Sequence, residues 1–156
     1  MPWGRNDINY ESNFVYKYTK KEKIGEGSFG KVYIVQKKSS NEIYAAKISK
    51  QEIQLSSNKE ILSIAREVNI ISKLQHPTIL KFIGYSQFNF KKESKPVIIT
   101  EFSPNGSLGH ILELERKNMK IDGWDQTKKM MVIYGIASGM SYLHSNSIVH
   151  RDLKPD

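Results

Sequence analysis

The sequence predicts an α+β fold in two parts: a small lobe of five antiparallel strands carrying one packed helix, followed by a part that is mainly helical. Three observations predict it. Short β-branched and aromatic runs bounded by turn residues recur up to about residue 102. A single stretch with helical spacing interrupts them at 57–74. After the turn Ser103-Pro104-Asn105-Gly106, the pattern becomes helical at roughly 107–116 and 124–144. The implied division is an N-terminal extension at 1–16, a small lobe at 17–102, and a hinge with the start of a second lobe at 103–156.

With 156 residues the chain is long enough to bury a real core. Lys and Arg outnumber Asp and Glu by 24 to 16, but they are spread along the chain. That distribution reads first as a solvated cationic surface and next as a surface for a phosphate-rich ligand. Nucleic acid ranks third, because no Lys/Arg stripe interleaved with aromatics is present. The absence of cysteine excludes disulfides, thiolate metal sites and a cysteine nucleophile, and fits a cytoplasmic protein. Met1-Pro2-Trp3-Gly4 begins no signal core, and Pro2 excludes myristoylation. No apolar run approaches the ~18–20 residues that span a bilayer, so no membrane association is expected.

Residues 1–16 are polar with scattered aromatics and read as a loose extension that docks one aromatic side chain. Ile24-Gly25-Glu26-Gly27-Ser28-Phe29-Gly30-Lys31-Val32 follows. Glycines at this spacing free backbone N–H groups to face phosphate oxygens. A dinucleotide or Walker loop needs a helix straight after it, whereas Val32-Tyr33-Ile34-Val35 reads as a strand. The loop is therefore a hairpin lid between two strands, or simply a structural glycine hairpin. In the next strand, Ile43-Tyr44-Ala45-Ala46-Lys47-Ile48, alternation puts Ile43, Ala45 and Lys47 on one face. Lys47 is then either a cation set beside a small flat surface or an edge residue whose tip reaches water.

The helix at 57–74 opens on a capping box, Ser57 with Glu60, and carries an apolar stripe of Ile61, Ile64, Val68, Ile71 and Leu74. At about 100° per residue, Glu67 falls on that stripe between Ile71 and Leu74. A carboxylate facing a core needs a partner, and Lys47 is the natural one; the alternative is a marginal position that reaches water. Leu80–Tyr85 and Pro96–Phe102 read as two further strands joined by a charged loop. The last helix is apolar all round, with Met130, Met131, Val132 and Ile133 in succession. Such a helix belongs inside a larger body, so it offers a surface for self-association or for a partner. The chain ends on Ile148-Val149-His150-Arg151-Asp152-Leu153-Lys154-Pro155-Asp156.

These motifs, in this order, resemble the eukaryotic protein kinases from about residue 18 to the C-terminus. Ile24–Val32 resembles the glycine-rich loop. Ala45-Ala46-Lys47 resembles the strand that carries the kinase lysine, and Glu67 its helix partner. Ile98–Phe102 resembles the strand entering the hinge, with Thr100 as gatekeeper, and His150-Arg151-Asp152-Leu153 the start of the catalytic loop. Lys154-Pro155 is similar to Ser/Thr kinases, and the Ser103–Leu108 hinge to their tyrosine-kinase-like branch.

The resemblance implies ATP-dependent phosphoryl transfer to protein hydroxyls on a protein-kinase-like two-lobe fold. It makes Asp152, Lys47 and Glu67 the catalytic group. Gly25, Gly27 and Gly30 would cover the phosphates, and Lys47, held by Glu67, would contact the α- and β-phosphates. Ile24, Val32, Ala45 and Thr100 would line the adenine site, and the backbones of Glu101 and Ser103 would bond its edge. ATP with Mg²⁺ would be the cofactors, but the Asn that follows in the family's loop and the Asp-Phe-Gly segment lie beyond Asp156. The expectation is thus a kinase domain truncated within the catalytic loop and inactive alone. The alternative is a non-catalytic fragment that binds ATP or docks on a partner.

Overall fold

A computed structural model describes residues 14–28, 30–53 and 58–155, with the side chains of 58–61 left outside that description. The residues fall into two compact units: one comprises the chain up to Gln75 and Leu80–Phe102, the other His76–Ile79 and Ser103–Asp156.

In the first unit, β1 (Tyr18–Glu26), β2 (Gly30–Lys37), β3 (Ile43–Ser49), β4 (Phe82–Ser86) and β5 (Val97–Glu101) form one antiparallel sheet in the order β1-β2-β3-β5-β4. These are the five strands expected from the alternation. β1 is an edge strand and exposes Lys20, Lys21 and Lys23, charges that discourage pairing with another chain.

The register decides which side chains share a face, because residues directly opposite in an antiparallel pair point the same way. Tyr33, Ala46 and Ile99 line up across β2, β3 and β5, as do Ile48 and Val97. That face holds the core: Val35, Ala46, Ile48, Val97 and Ile99 are buried there with Val15 and Tyr18. On the other face Val32 lies opposite Lys47, and Ala45 lies opposite both Ile34 and Thr100. This second face is only half covered.

Of the expected extension at 1–16, residues 14–16 are described, and they pack on the sheet. Phe14–Lys17 forms a 3-10 turn whose Val15 is fully buried in the core. Phe14 stacks on Tyr18 at 5.3 Å, and Tyr18 meets Tyr44 edge-on at 5.5 Å. A Cβ at Gly84 of β4 would come within 2.5 Å of the Phe14 ring, so this glycine makes the seat for the docked aromatic. The apolar residues at 14 and 15 place these residues in the small lobe, whereas residues 1–13 lie outside the described part.

α1 (Asn58–Lys73) packs against β4. Its buried residues are Ala65 and Val68, with Ile64 and Ile71 half-buried beside them. Ala65 is small and was not part of the apolar stripe read from the sequence. With Ala65 inward the packed face turns away from Glu67, which is about 160° from Ala65 and 100° from Val68 around the axis and is exposed. The sequence left two readings of Glu67, a core-facing partner of Lys47 or a marginal position that reaches water; in the structure its side chain is exposed, as in the second. The Ser57–Glu60 capping box lies outside the described residues.

The second unit is built on α2 (Leu108–Arg116) and α3 (Gln126–Ser145). Ser107 caps α2 by accepting from the His110 amide at 3.2 Å, and Asp125 caps α3 by accepting from Lys128 at 2.7 Å. The two helices are tied by Glu115, which accepts from the Trp124 indole at 3.2 Å and pairs with Lys129. Residues 76–79 lie against α3: His76 stacks on Tyr142 at 5.0 Å, and its Nε2 is 3.3 Å from the Ser138 hydroxyl. As the composition of α3 foretold, Met130, Met131, Ile133 and Tyr134 are 64%, 60%, 59% and 76% exposed. Among the described residues, no helix is long and apolar enough to cross a membrane.

Candidate nucleotide and phosphoryl-transfer site

The half-covered sheet face gathers five of the sequence-derived residues. Gly25 lies opposite Val32, Val32 opposite Lys47, and Ala45 opposite Thr100. The result is a flat apolar patch of Val32, Ile34 and Ala45 with one cation at its side. Ile24 is exposed in β1 next to Gly25. This is a surface on which a planar ring can lie with anionic groups beside Lys47.

The hairpin between β1 and β2 is closed by the Gly27 amide, which donates to the Gly30 carbonyl at 2.9 Å. The Gly27 N–H is therefore engaged inside the turn. The three glycines differ in what they permit. A Cβ at Gly30 would lie 2.6 Å from the Ile48 carbonyl oxygen, at Gly25 it would make ordinary contact with Val32, and at Gly27 it would meet nothing within 4 Å. Gly30 is required by the packing of β2 on β3, Gly25 tolerates a methyl in ordinary contact, and Gly27 leaves open space above the loop. Glu26 braces the hairpin from outside, bonding Lys23 and Lys50, each at 2.9 Å. These cations, Lys23 first, hold its carboxyl down to about 2.

Lys47 has contacts of its own, but among the described residues no ion pair joins it to Glu67. At the end of β5, the Glu101 amide donates to the Lys81 carbonyl at 2.9 Å, and its carboxylate accepts from the Lys81 amide at 2.7 Å. The Glu101 carbonyl accepts from the Thr100 hydroxyl at 3.1 Å and keeps a second lone pair. An adenine edge can be met by that carbonyl but not by the Glu101 N–H. Ser103 is exposed at the start of the second unit.

Asp152 is also in the second unit, exposed, on a loop held in a defined shape. Arg151 has φ 61°, a left-handed conformation that is uncommon for a long side chain. The Asp152 amide then donates to His150 Nδ1 at 3.3 Å, and the Pro155 carbonyl accepts from the Gly109 amide of α2 at 2.7 Å. Lys154 Nζ lies 3.5 Å from Asp152 Oδ2. His150 and Lys154 were not among the site residues read from the sequence; their spacing of two from Asp152 on either side was the available signal. A carboxylate with an adjacent cation can receive a hydroxyl proton while balancing charge on a transferring phosphoryl group.

Residues 18–156 match the family model for the protein kinase domain. The chain belongs to the protein kinase domain family. Its sheet and helices are the N-terminal lobe of the kinase fold with the first helices that follow it. It is similar to an Aurora kinase of Saccharomyces cerevisiae, 34% identical over 135 residues, which are 86% of this chain and 34% of that protein. It is also similar to Cysteine-rich receptor-like protein kinase 19 of Arabidopsis thaliana, 38% identical over 85% of this chain and 19% of that protein. Aurora kinase A-A of Xenopus laevis is 33% identical over 85% of this chain and 30% of its own length. The kinase chain thus spans between a fifth and a third of these relatives.

The family implies ATP and Mg²⁺. The sheet face fits a nucleotide: it offers a flat apolar patch, a flanking cation, an accepting carbonyl and open space above Gly27. Among the described residues, no three His, Cys, Asp or Glu side chains gather as an all-protein metal cage; Mg²⁺ at a nucleotide is held by one or two carboxylates together with phosphate oxygens and water.

Proposed function

We propose that these 156 residues are the nucleotide-holding part of a protein serine/threonine kinase, which moves the terminal phosphoryl group of ATP to a protein hydroxyl. The observation that carries this reading is the register that sets Val32, Ala45, Lys47 and Thr100 on one half-covered face. Val32 and Ala45 pack on the adenine, with Ile24 at its rim. The Glu101 carbonyl and the Ser103 backbone meet the ring edge. Gly25, Gly27 and Gly30 bring the hairpin over the phosphates, and Lys47 neutralises the α- and β-phosphates. Glu67 takes up its role as the partner of Lys47 when α1 turns it toward the sheet. Asp152 orients the substrate hydroxyl and accepts its proton.

Serine/threonine specificity is supported by Lys154 beside Asp152. The Ser103–Leu108 segment supports placement near the tyrosine-kinase-like branch. The Aurora and receptor-like kinases named above differ in kind, so no substrate is carried over from them. The absence of cysteine supports a cytoplasmic setting.

Transfer from labelled ATP to a mixed Ser/Thr/Tyr peptide pool tests the proposal in the protein that carries these residues. Phosphoserine and phosphothreonine are expected, reduced ~10²–10⁴-fold by Asp152→Ala. Phosphotyrosine as the product, or full activity in the Asp152→Ala protein, would overturn it. The 156 residues alone are expected to transfer nothing above that control. A second reading, a partner-docking fragment, is favoured by the exposed methionines and aromatics of α3.

A further inference from the structure

The first unit carries another cleft, on the sheet face opposite Val32, Ala45 and Lys47. Tyr33 and Ile48 belong to the core face, and next to them a cleft of about 420 Å³ opens against the loop joining β4 to β5. Five lysines line it, Lys20, Lys31, Lys50, Lys91 and Lys95, against two carboxylates, Glu26 and Glu93.

Both carboxylates are already engaged. Glu26 is shared by Lys23 and Lys50, each at 2.9 Å. Glu93 holds Lys95 at 2.9 Å and accepts from Asn89 Nδ2 at 2.8 Å. Among the described residues, Lys20, Lys31 and Lys91 have no carboxylate partner. Three cations are thus left around an apolar floor of Tyr33, Ile48 and Phe90.

The loop that forms one wall is ordered. Asn89 is buried, and its Oδ1 accepts from the Lys91 amide at 2.8 Å and the Glu93 amide at 3.1 Å. The buried Ser86 hydroxyl donates to the Phe88 carbonyl at 2.7 Å. The far end is tied down where Ile53 donates to the Ser94 carbonyl at 2.8 Å. Lys91 is therefore presented from a fixed backbone, which lowers the entropy lost on binding.

We propose that this cleft docks an acidic peptide segment of a partner protein, with its carboxylates on Lys20, Lys31 and Lys91 and an apolar side chain on the Phe90 side of the floor, beside the Lys20-covered Tyr33 ring. Charge complementarity selects the occupant. Separated cations around an apolar floor suit carboxylates spaced along an extended peptide. Nucleic acid needs open aromatic faces for stacking, and the Tyr33 ring is covered by Lys20 Nζ at 4.0 Å. The floor lies inside a cleft, out of reach of a flat lipid surface.

Fluorescence anisotropy with a labelled short peptide of alternating Glu and aliphatic residues and one central Phe tests this. Saturable binding to the chain is expected, weakened about tenfold or more, over 1.4 kcal/mol, by Lys20→Glu, Lys31→Glu and Lys91→Glu together. Lys38→Glu, Lys73→Glu and Lys128→Glu change the net charge equally elsewhere and are expected to leave it nearly unaltered. A parallel Lys→Gln set, checked for an unchanged thermal melt, gives the same ranking if the site is real. Equal losses in the two reversed sets, no saturable binding, or tighter cleft-dependent binding of an anionic vesicle or an oligonucleotide would each overturn the proposal.

Discussion

Gly27 and Gly30 stand three residues apart in one hairpin, yet only one of them has to be glycine. Gly30→Ala drives a Cβ into the Ile48 carbonyl at 2.6 Å, whereas Gly27→Ala meets open space. Overpacking of this kind costs ~1–3 kcal/mol. Urea unfolding is expected to show a loss in that range for Gly30→Ala and less than ~0.5 kcal/mol for Gly27→Ala. Glu26, in the same hairpin, has a carboxyl held down to about 2 by Lys23 and then Lys50. Because its folded value lies below the ordinary one, the bracing contributed by these pairs is complete above about 4.5 and fades progressively as pH falls from there through about 2. A carboxyl NMR titration is expected to find Glu26 still ionised at about pH 4; an ordinary midpoint near 4.3 would show that the brace is absent in solution. Both effects come from three-dimensional neighbours, Ile48 and Lys50, that the spacing of the glycines does not reveal.

At the scale of elements, strands and helices were legible because their signals are local. The β-branched and aromatic run Val32–Val35, the alternation in Ile43–Ile48 and the turn residues at Ser103–Gly106 sit where the elements run and break, whereas the caps Ser107 and Asp125 were not read from the sequence. The facing of α1 was not legible, because Ala65 is too small to weigh in an apolar stripe and yet is what the sheet accepts. That one residue moves Glu67 into water. The exposed apolar face of α3 has a consequence of its own. Half-exposed Leu- or Met-sized side chains forgo much of the ~1.5–3 kcal/mol that each gains on burial. The isolated chain is therefore expected to sediment with a concentration-dependent mass, and Met131→Glu with Ile133→Glu to make it monomeric. A monomer at all concentrations would remove the case for α3 as a docking surface.

For the whole molecule, the family was legible because several short motifs fall in one order, and no single one of them needed to be specific. The site was legible in part. Alternation and register together gathered Val32, Ala45, Lys47 and Thr100. The engagement of the Gly27 and Glu101 amides, and the placing of His150 and Lys154 around Asp152, depend on backbone geometry that no spacing rule supplies. The central claim is that ATP binds the half-covered face of the sheet and not the face that carries the core. Ala45 and Ala46 are adjacent in β3 and point to opposite faces, so they form a built-in pair of probes. Methyl NMR of the chain titrated with ATP is the most direct measurement. The Ala45 and Val32 methyl signals are expected to shift and saturate, while Ala46 and Val35 stay in place. Shifts confined to Ala46 and Val35, or none at any methyl, would contradict the account.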